Sequence, residues 1–491
     1  MKKTVGLADR AGFLVIGNSA QALCTTISWV GLARLLTRSG FGEYRQAWLP
    51  YNLLFPVVVL GLPVSILYFL PRIDVGARRL LVRRTTALLA CLGGILTCAL
   101  WLGAPAIAAA FHNSNLAPFI RLFAFYALLT LPIAHVQQVL VAAGRHSSAA
   151  WLTGVAAALQ AAATVGAAWL SGKVEWVLAA AVLSAVPMLL AGLALMQVGP
   201  PAARTKPIPS LSDHLRYSVT VALAGLVLAF GRQIGQVVVS VFHPARDFAV
   251  YVVGAFEVPV LGVFTVSVIT TLVPVFSDLS HREKWLELMR VWHESIRMLS
   301  LVVFPLFVLL FMLADQVIVL LFSKAYSESV LIFRLFLLLL PMRVTVYSAL
   351  LQAAGKTRSL AIGAGGFLLA NTVLSVALVR VLGIAGPAVA QVASQYGLAT
   401  YFLIQVCRAV KTGLRSVMPW GEINRLFALC AVIGAVMFPF TRLGLNPALV
   451  VGICAPLYLA VYFIALRALG LMRQSDIDLL RRWASLSVLR R

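Results

Sequence analysis

The stretch FIRLFAFYALLTLPIAHVQQVLVAAGR (119–145) returns in the second half of the chain as IFRLFLLLLPMRVTVYSALLQAAGK (332–356). Each is a long apolar run with Arg near its start and Pro near its middle, leaving through Ala-Ala-Gly and a basic residue. The matching glycines, Gly144 and Gly355, stand close to half the chain apart, the mark of an internal duplication. Apolar runs of roughly 20 residues or more cross a hydrocarbon layer as helices. A duplicated membrane chain is expected to fold as two packed bundles with a path or binding site between them. A transporter is therefore the first expectation.

Composition agrees. Of 491 residues, 61% are apolar and 11% charged, outside the range of soluble domains. Fourteen spans are predicted, near 9–34, 45–70, 85–111, 117–143, 149–171, 175–198, 215–242, 248–276, 297–322, 328–354, 359–381, 385–407, 423–442 and 447–470. The fold class expected is an all-α polytopic membrane protein. The net charge of +24 falls mostly on alternate loops, among them Arg78, Arg79, Arg83, Arg84, Arg145, Arg204, Lys206 and Arg408, and on the C-terminal tail. The positive-inside rule then places both termini in the cytoplasm. Basic residues spread over many loops, with no single patch, argue against nucleic acid. The first span is too long for the apolar core of a cleaved signal peptide. Cys24, Cys91, Cys98, Cys407, Cys430 and Cys454 lie in or beside spans without metal spacing, as packing residues do.

The predicted organisation is an N-terminal six-helix lobe (1–198), a Pro-rich cytoplasmic linker (199–214) and a C-terminal six-helix lobe (215–410). Two further transmembrane helices (411–470) and an amphipathic cytoplasmic tail (471–491) follow. The tail and 281–297 mix Trp, Leu and Arg at helical spacing, a pattern suited to the headgroup layer of membrane lipids.

Charge at membrane depth is costly, so each case needs a reason. Arg34, Arg45, Arg121, Arg334 and Arg380 fall near outer span ends and can snorkel; the first four are secondary site candidates. Arg232 and Arg343 fall near the midplane and are the main candidates for a cationic cavity. Glu257 offers Arg232 an ion pair, either a structural strut or a gate. Polar stripes suggest a shared wet interior: Asn18, Gln21 and Thr25 in the first span, Gln236 beside Arg232 in the seventh, Asn371 in the eleventh, Gln391 and Gln395 in the twelfth. Such residues also join membrane helices to one another. After Pro132, the position matching Arg343 is Ala134, beside His135, so the expected charge is asymmetric between the repeats.

No loop carries paired carboxylates, a nucleophile with its base, a metal-ligand cluster or a P-loop. No catalytic residue, metal or cofactor is expected.

Several stretches resemble the polysaccharide-transporter branch of the MATE-like (multidrug/oligosaccharidyl-lipid/polysaccharide, MOP) flippase superfamily. They are LARLLTRSGFGEYRQAWLPYNLLFPVVVLGLPVSILYFLPR (32–72), FAVYVVGAFEVP (248–259), VPVFSDL (273–279) and LPMRVTVYSALLQAAGKTRS (340–359). The resemblance implies alternating access and a lipid-linked oligosaccharide substrate of the undecaprenyl pyrophosphate type. It implies export across the bacterial inner membrane for surface polysaccharide, with polymerase machinery as a partner. Within the superfamily, a lipid II flippase and a cation-coupled drug exporter are the alternatives.

Overall fold

The computed structural model describes residues 7–197, 208–257 and 272–472. All regular structure among them is helical, and twelve of the described helices are long and apolar enough to cross a membrane. Two expected spans account for the difference from fourteen. The one at 248–276 falls partly outside the described residues. The one at 385–407 is a helix, Ala385–Val410, but Gln391, Gln395 and Gln405 leave it less apolar than the others. Parts of the linker (198–207) and the tail beyond 472 also lie outside the described residues.

The chain divides into two compact units, the break falling between Ala249 and Val250. The first holds α1 (Leu7–Leu35), α2 (Arg38–Val59), α3 (Leu62–Phe69), α4 (Val75–Ala110), α5 (Leu116–Thr130), α6 (Val136–Ala142), α7 (His146–Ser171), α8 (Val174–Leu195) and α9 (Leu211–Phe242). Small residues let α1 lie against α7: a Cβ on Gly17 would come within 2.7 Å of Ala150 Cα, and Gly31 faces Val165. Without a hydrophobic drive between helices in lipid, such close approach is what associates them. Thr37 starts α2 by accepting from Gly40 N (3.1 Å). Ser210 starts α9 by accepting from Asp213 N (3.0 Å), and α9 then packs on α2 and α3.

The base of α9 is clamped. Arg84 Nη1 donates to Pro209 O (2.6 Å), and its Nη2 lies 3.3 Å from His214 Nδ1. Arginine only donates, so the proton of His214 sits on Nε2 and points at Ser65 Oγ (2.6 Å), which in turn donates to Leu62 O (2.7 Å). Burial, with the Arg84 charge beside it, pushes His214 down from 6.5 to about 4. A folded state that favours neutral imidazole gains stability above about pH 6.5 and loses it as pH falls toward 4. The difference in melting temperature between the protein and His214→Gln should therefore shrink across that window. A difference that does not change with pH would refute the clamp.

α10 (Ala245–Gly254) begins at the end of the first unit. The second contains α11 (272–281), α12 (Trp285–Met312), α13 (Ala314–Phe322), α14 (Ser329–Leu337), α15 (Tyr347–Ala353), α16 (Thr357–Leu382), α17 (Ala385–Val410), α18 (Leu414–Val417), α19 (Trp420–Met437) and α20 (Pro447–Ala468). Here α16 pairs with α17, and α12, α13, α19 and α20 pack together.

The repeated stretch behaves alike in both units. Each apolar run breaks at its proline into a 3-10 turn, Leu131–Ile133 and Pro341–Val344, and resumes as a short helix, α6 or α15. Each exit closes identically: Arg145 N bonds Leu140 O and Lys356 N bonds Leu351 O, both at 2.8 Å. The intervening Gly144 and Gly355 are left-handed, with φ of +77° and +70°. A Cβ there is disfavoured by roughly 1–2 kcal/mol. Gly144→Ala and Gly355→Ala are each expected to lower thermal stability by about that much, and an unchanged melting temperature would count against the shared cap.

Candidate functional site

Among the described residues, the first unit encloses a cavity of about 710 Å³, walled by α1, α2, α5 to α9 and the turn between α5 and α6. Its chemistry is uneven. Gln21, Thr25 and Ser28 line it from α1, Gln137 from α6, Gln160 from α7, and Gln233 and Gln236 from α9. Tyr44, Trp48 and Tyr126 make an aromatic wall in which Trp48 lies 5.1 Å from Tyr126 between ring centres. No Asp or Glu is among the lining residues, and the one basic residue is Arg45.

Arg45 is 9% exposed, and its guanidinium carbon lies 3.9 Å from the centre of the Trp29 ring. Such stacking holds a cation without consuming its donors. Arg45 has no ionic partner among the described residues, and its enclosed Nε has no protein hydrogen-bond partner among them. An enclosed unsatisfied donor costs free energy until an acceptor arrives. The amides are partly tied: Gln137 Nε2 donates to Asn18 Oδ1 (3.3 Å), and Tyr126 Oη donates to Gln160 Oε1 (3.4 Å). The arrangement can accept one anionic group at Arg45, with neutral hydroxyl-bearing matter against amides and aromatic faces.

The expected site residues separate into groups. Gln21, Thr25 and Gln236 line this cavity; Asn18 stands one turn away through its bond to Gln137. Arg232, next to Gln233, is exposed and outside the lining. Arg343, in the second unit, is held by Glu257, its Nη2 donating to Oε1 at 2.6 Å. Glu257 is thus an ion-pair residue, with Arg343 as partner where the sequence suggested Arg232. Asn371 and Gln391 face each other: Asn371 Nδ2 donates to Gln391 Oε1 (2.6 Å) and Ser375 Oγ to Asn371 Oδ1 (3.3 Å). All three are buried, so this polar cluster joins α16 to α17. Gln395 is half-buried beside it. Arg34 is exposed; Arg121 lies 5.0 Å over Trp101; Arg334 pairs with Asp315.

The sequence offers Arg45 as a residue able to snorkel and as a secondary candidate, and its reading leaves out the aromatic wall. A signal was available: Tyr44, Trp48 and Asn52 fall at i, i+4 and i+8 of one helix, and all three line the cavity.

In architecture the chain is similar to transporters of the MOP superfamily. It aligns with the lipid II flippase MurJ in an inward closed conformation over 92% of this chain and 98% of that one, with a TM-score of 0.72 and 14% identity. An inward-facing multidrug resistance MATE family transporter aligns over 80% and 96%, with a TM-score of 0.63 and 15% identity. A MOP superfamily transporter from Pyrococcus furiosus, described by reverse polarity of its binding pocket, aligns over 82% and 95%, with a TM-score of 0.56 and 15% identity. No curated protein matches the chain. The chain belongs to the family described as polysaccharide biosynthesis protein, whose profile matches residues 31–331. It is a multi-pass membrane protein, and the resemblance read from the sequence holds for family and fold.

Proposed function

We propose that the protein translocates a lipid-linked oligosaccharide, of the undecaprenyl pyrophosphate type, to the outer leaflet by alternating access. The observation that carries this reading is the cavity whose one charge among the described residues is Arg45, stacked on Trp29 amid amides and aromatic rings with no protein acceptor on its Nε. A pyrophosphate supplies acceptors for Arg45, and sugar rings suit the amide and aromatic wall. A lining without Asp or Glu among the described residues gives a cationic drug no carboxylate to pair with. The family's description, polysaccharide biosynthesis protein, supports the glycan side of the reading.

The remaining assignments follow from the same reading: two six-helix lobes joined by the 199–214 linker, both termini cytoplasmic, and the bacterial inner membrane as location. Polymerase machinery would take up the product on the outer side. Arg232, and Arg343 with its partner Glu257, are assigned as secondary substrate-binding residues. Outward movement of an anion is favoured by an inside-negative potential, by about 2.3 kcal/mol per charge per 100 mV. The test is a proteoliposome assay offering a lipid-linked oligosaccharide, lipid II or a cationic dye, with and without an imposed potential. Selective, potential-stimulated movement of the oligosaccharide lipid is expected. Selective movement of lipid II or of the dye would overturn the substrate assignment.

A further inference from the structure

A second cavity, of about 760 Å³, lies in the second unit, far along the chain from Arg45. One wall is the first half of α12, where Arg290, His293, Glu294 and Arg297 recur at i, i+3, i+4 and i+7 on one helix face. The run that follows, 298–312, carries no charge. The cavity therefore sits where polar helix gives way to apolar helix, the level of a membrane–water boundary. The other wall is the segment from Arg415 to Glu422, where α18 yields to α19.

The frame of this cavity is fixed. Trp292 Nε1 and His293 Nε2 both donate to Val417 O, at 3.0 and 3.1 Å. Trp420 Nε1 donates to Leu414 O (3.0 Å) and leaves the exposed indole beside the opening. Arg297, 5% exposed, donates to Leu471 O (2.9 Å) and lies 3.5 Å from Glu422. The charges that remain are of both signs. Arg290, Arg415 and Glu294 line the cavity without a hydrogen-bonded or ionic partner among the described residues.

Two exposed cations and one exposed carboxylate, unpaired among the described residues, fit a ligand that itself carries both signs. A free phosphate or a purely anionic headgroup satisfies the arginines but sets its charge against Glu294. We propose that this cavity binds the headgroup of a zwitterionic aminophospholipid, with the phosphate toward Arg290 and Arg415 and the ammonium toward Glu294. The rigid face of Trp420 suits the glycerol level of such a lipid, where one end is wet and the other apolar.

The test uses the full-length protein in phosphatidylcholine vesicles containing equal shares of phosphatidylethanolamine and phosphatidylglycerol. After mild extraction, native mass spectrometry identifies the lipids retained. Phosphatidylcholine is a stringent background because its quaternary nitrogen has no N–H to donate. Preferential retention of phosphatidylethanolamine is expected. Arg290→Ala with Arg415→Ala should reduce it about tenfold, the scale of lost charge-assisted hydrogen bonds. Glu294→Gln, an exposed change that spares the frame, should abolish the preference over phosphatidylglycerol while lipid is still retained. Preference for phosphatidylglycerol, displacement of the lipid by inorganic phosphate, or an undiminished phosphatidylethanolamine preference in Glu294→Gln would each overturn the assignment.

Discussion

Arg45→Ala is expected to slow translocation of the oligosaccharide lipid in proteoliposomes by on the order of 10- to 100-fold, since a hydrogen bond to a charged group contributes roughly 1.5–3 kcal/mol. The effect follows from isolation: among the described residues, no other cation lines the cavity, and no protein acceptor bonds the enclosed Nε. Arg45→Lys should fall between the two, because it keeps the charge but loses the planar fork and the stack on Trp29. Arg121→Ala, which removes an exposed guanidinium over Trp101, should leave transport nearly unchanged. Full transport by Arg45→Ala at normal protein level would end the cationic-site reading.

Gly42→Ala should damage the fold itself. A Cβ at Gly42 would stand 1.8 Å from Ala245 O and 2.5 Å from Ala245 C. The obstacle is backbone, which cannot rotate aside as a side-chain tip would. Overpacking costs about 1–3 kcal/mol, occasionally more, and a rigid backbone neighbour puts this site at the upper end. The natural comparison is Gly166→Ala in α7, where nothing lies within 4 Å of the new methyl. There the helix should gain up to about 1 kcal/mol. Melting temperatures of the two variants should therefore move in opposite directions, and a Gly42→Ala protein as stable as the parent would show that the approach of α2 to the start of α10 is looser than described.

Much of this molecule could be read from its sequence because lipid leaves few options. Backbone groups in hydrocarbon must bond internally, so long apolar runs become helices. The proline in each repeat marks a break because it removes an N–H, and each Ala-Ala-Gly marks a left-handed exit. Partners were harder to foresee. Depth in the membrane suggests Arg232 as the partner of Glu257, yet Arg343, across a long stretch of chain, donates to it. Depth along a helix is a single coordinate, whereas a contact also needs the rotation of both helices. Arg45 illustrates the same gap. Its place near a span end is compatible with snorkelling, and only the position of Trp29 on the neighbouring helix shows that it turns inward. Asn371 and Gln391 read as cavity-lining residues in the sequence, whereas both are buried and Asn371 donates to Gln391.

The two proline breaks differ in length. Pro132 to Gly144 is two residues shorter than Pro341 to Gly355, and the added length falls between the proline and the exit helix, which begins at Val136 in one repeat and at Tyr347 in the other. Inserted into a continuous helix, two residues would turn everything beyond them by about 200° and carry buried side chains to the opposite face. Parked at a break, the same insertion leaves the exit helix free to restart in its own phase. The kink is thus a tolerant joint for a duplicated gene: one copy could acquire the charge of Arg343 there while keeping the same glycine-capped exit as its twin.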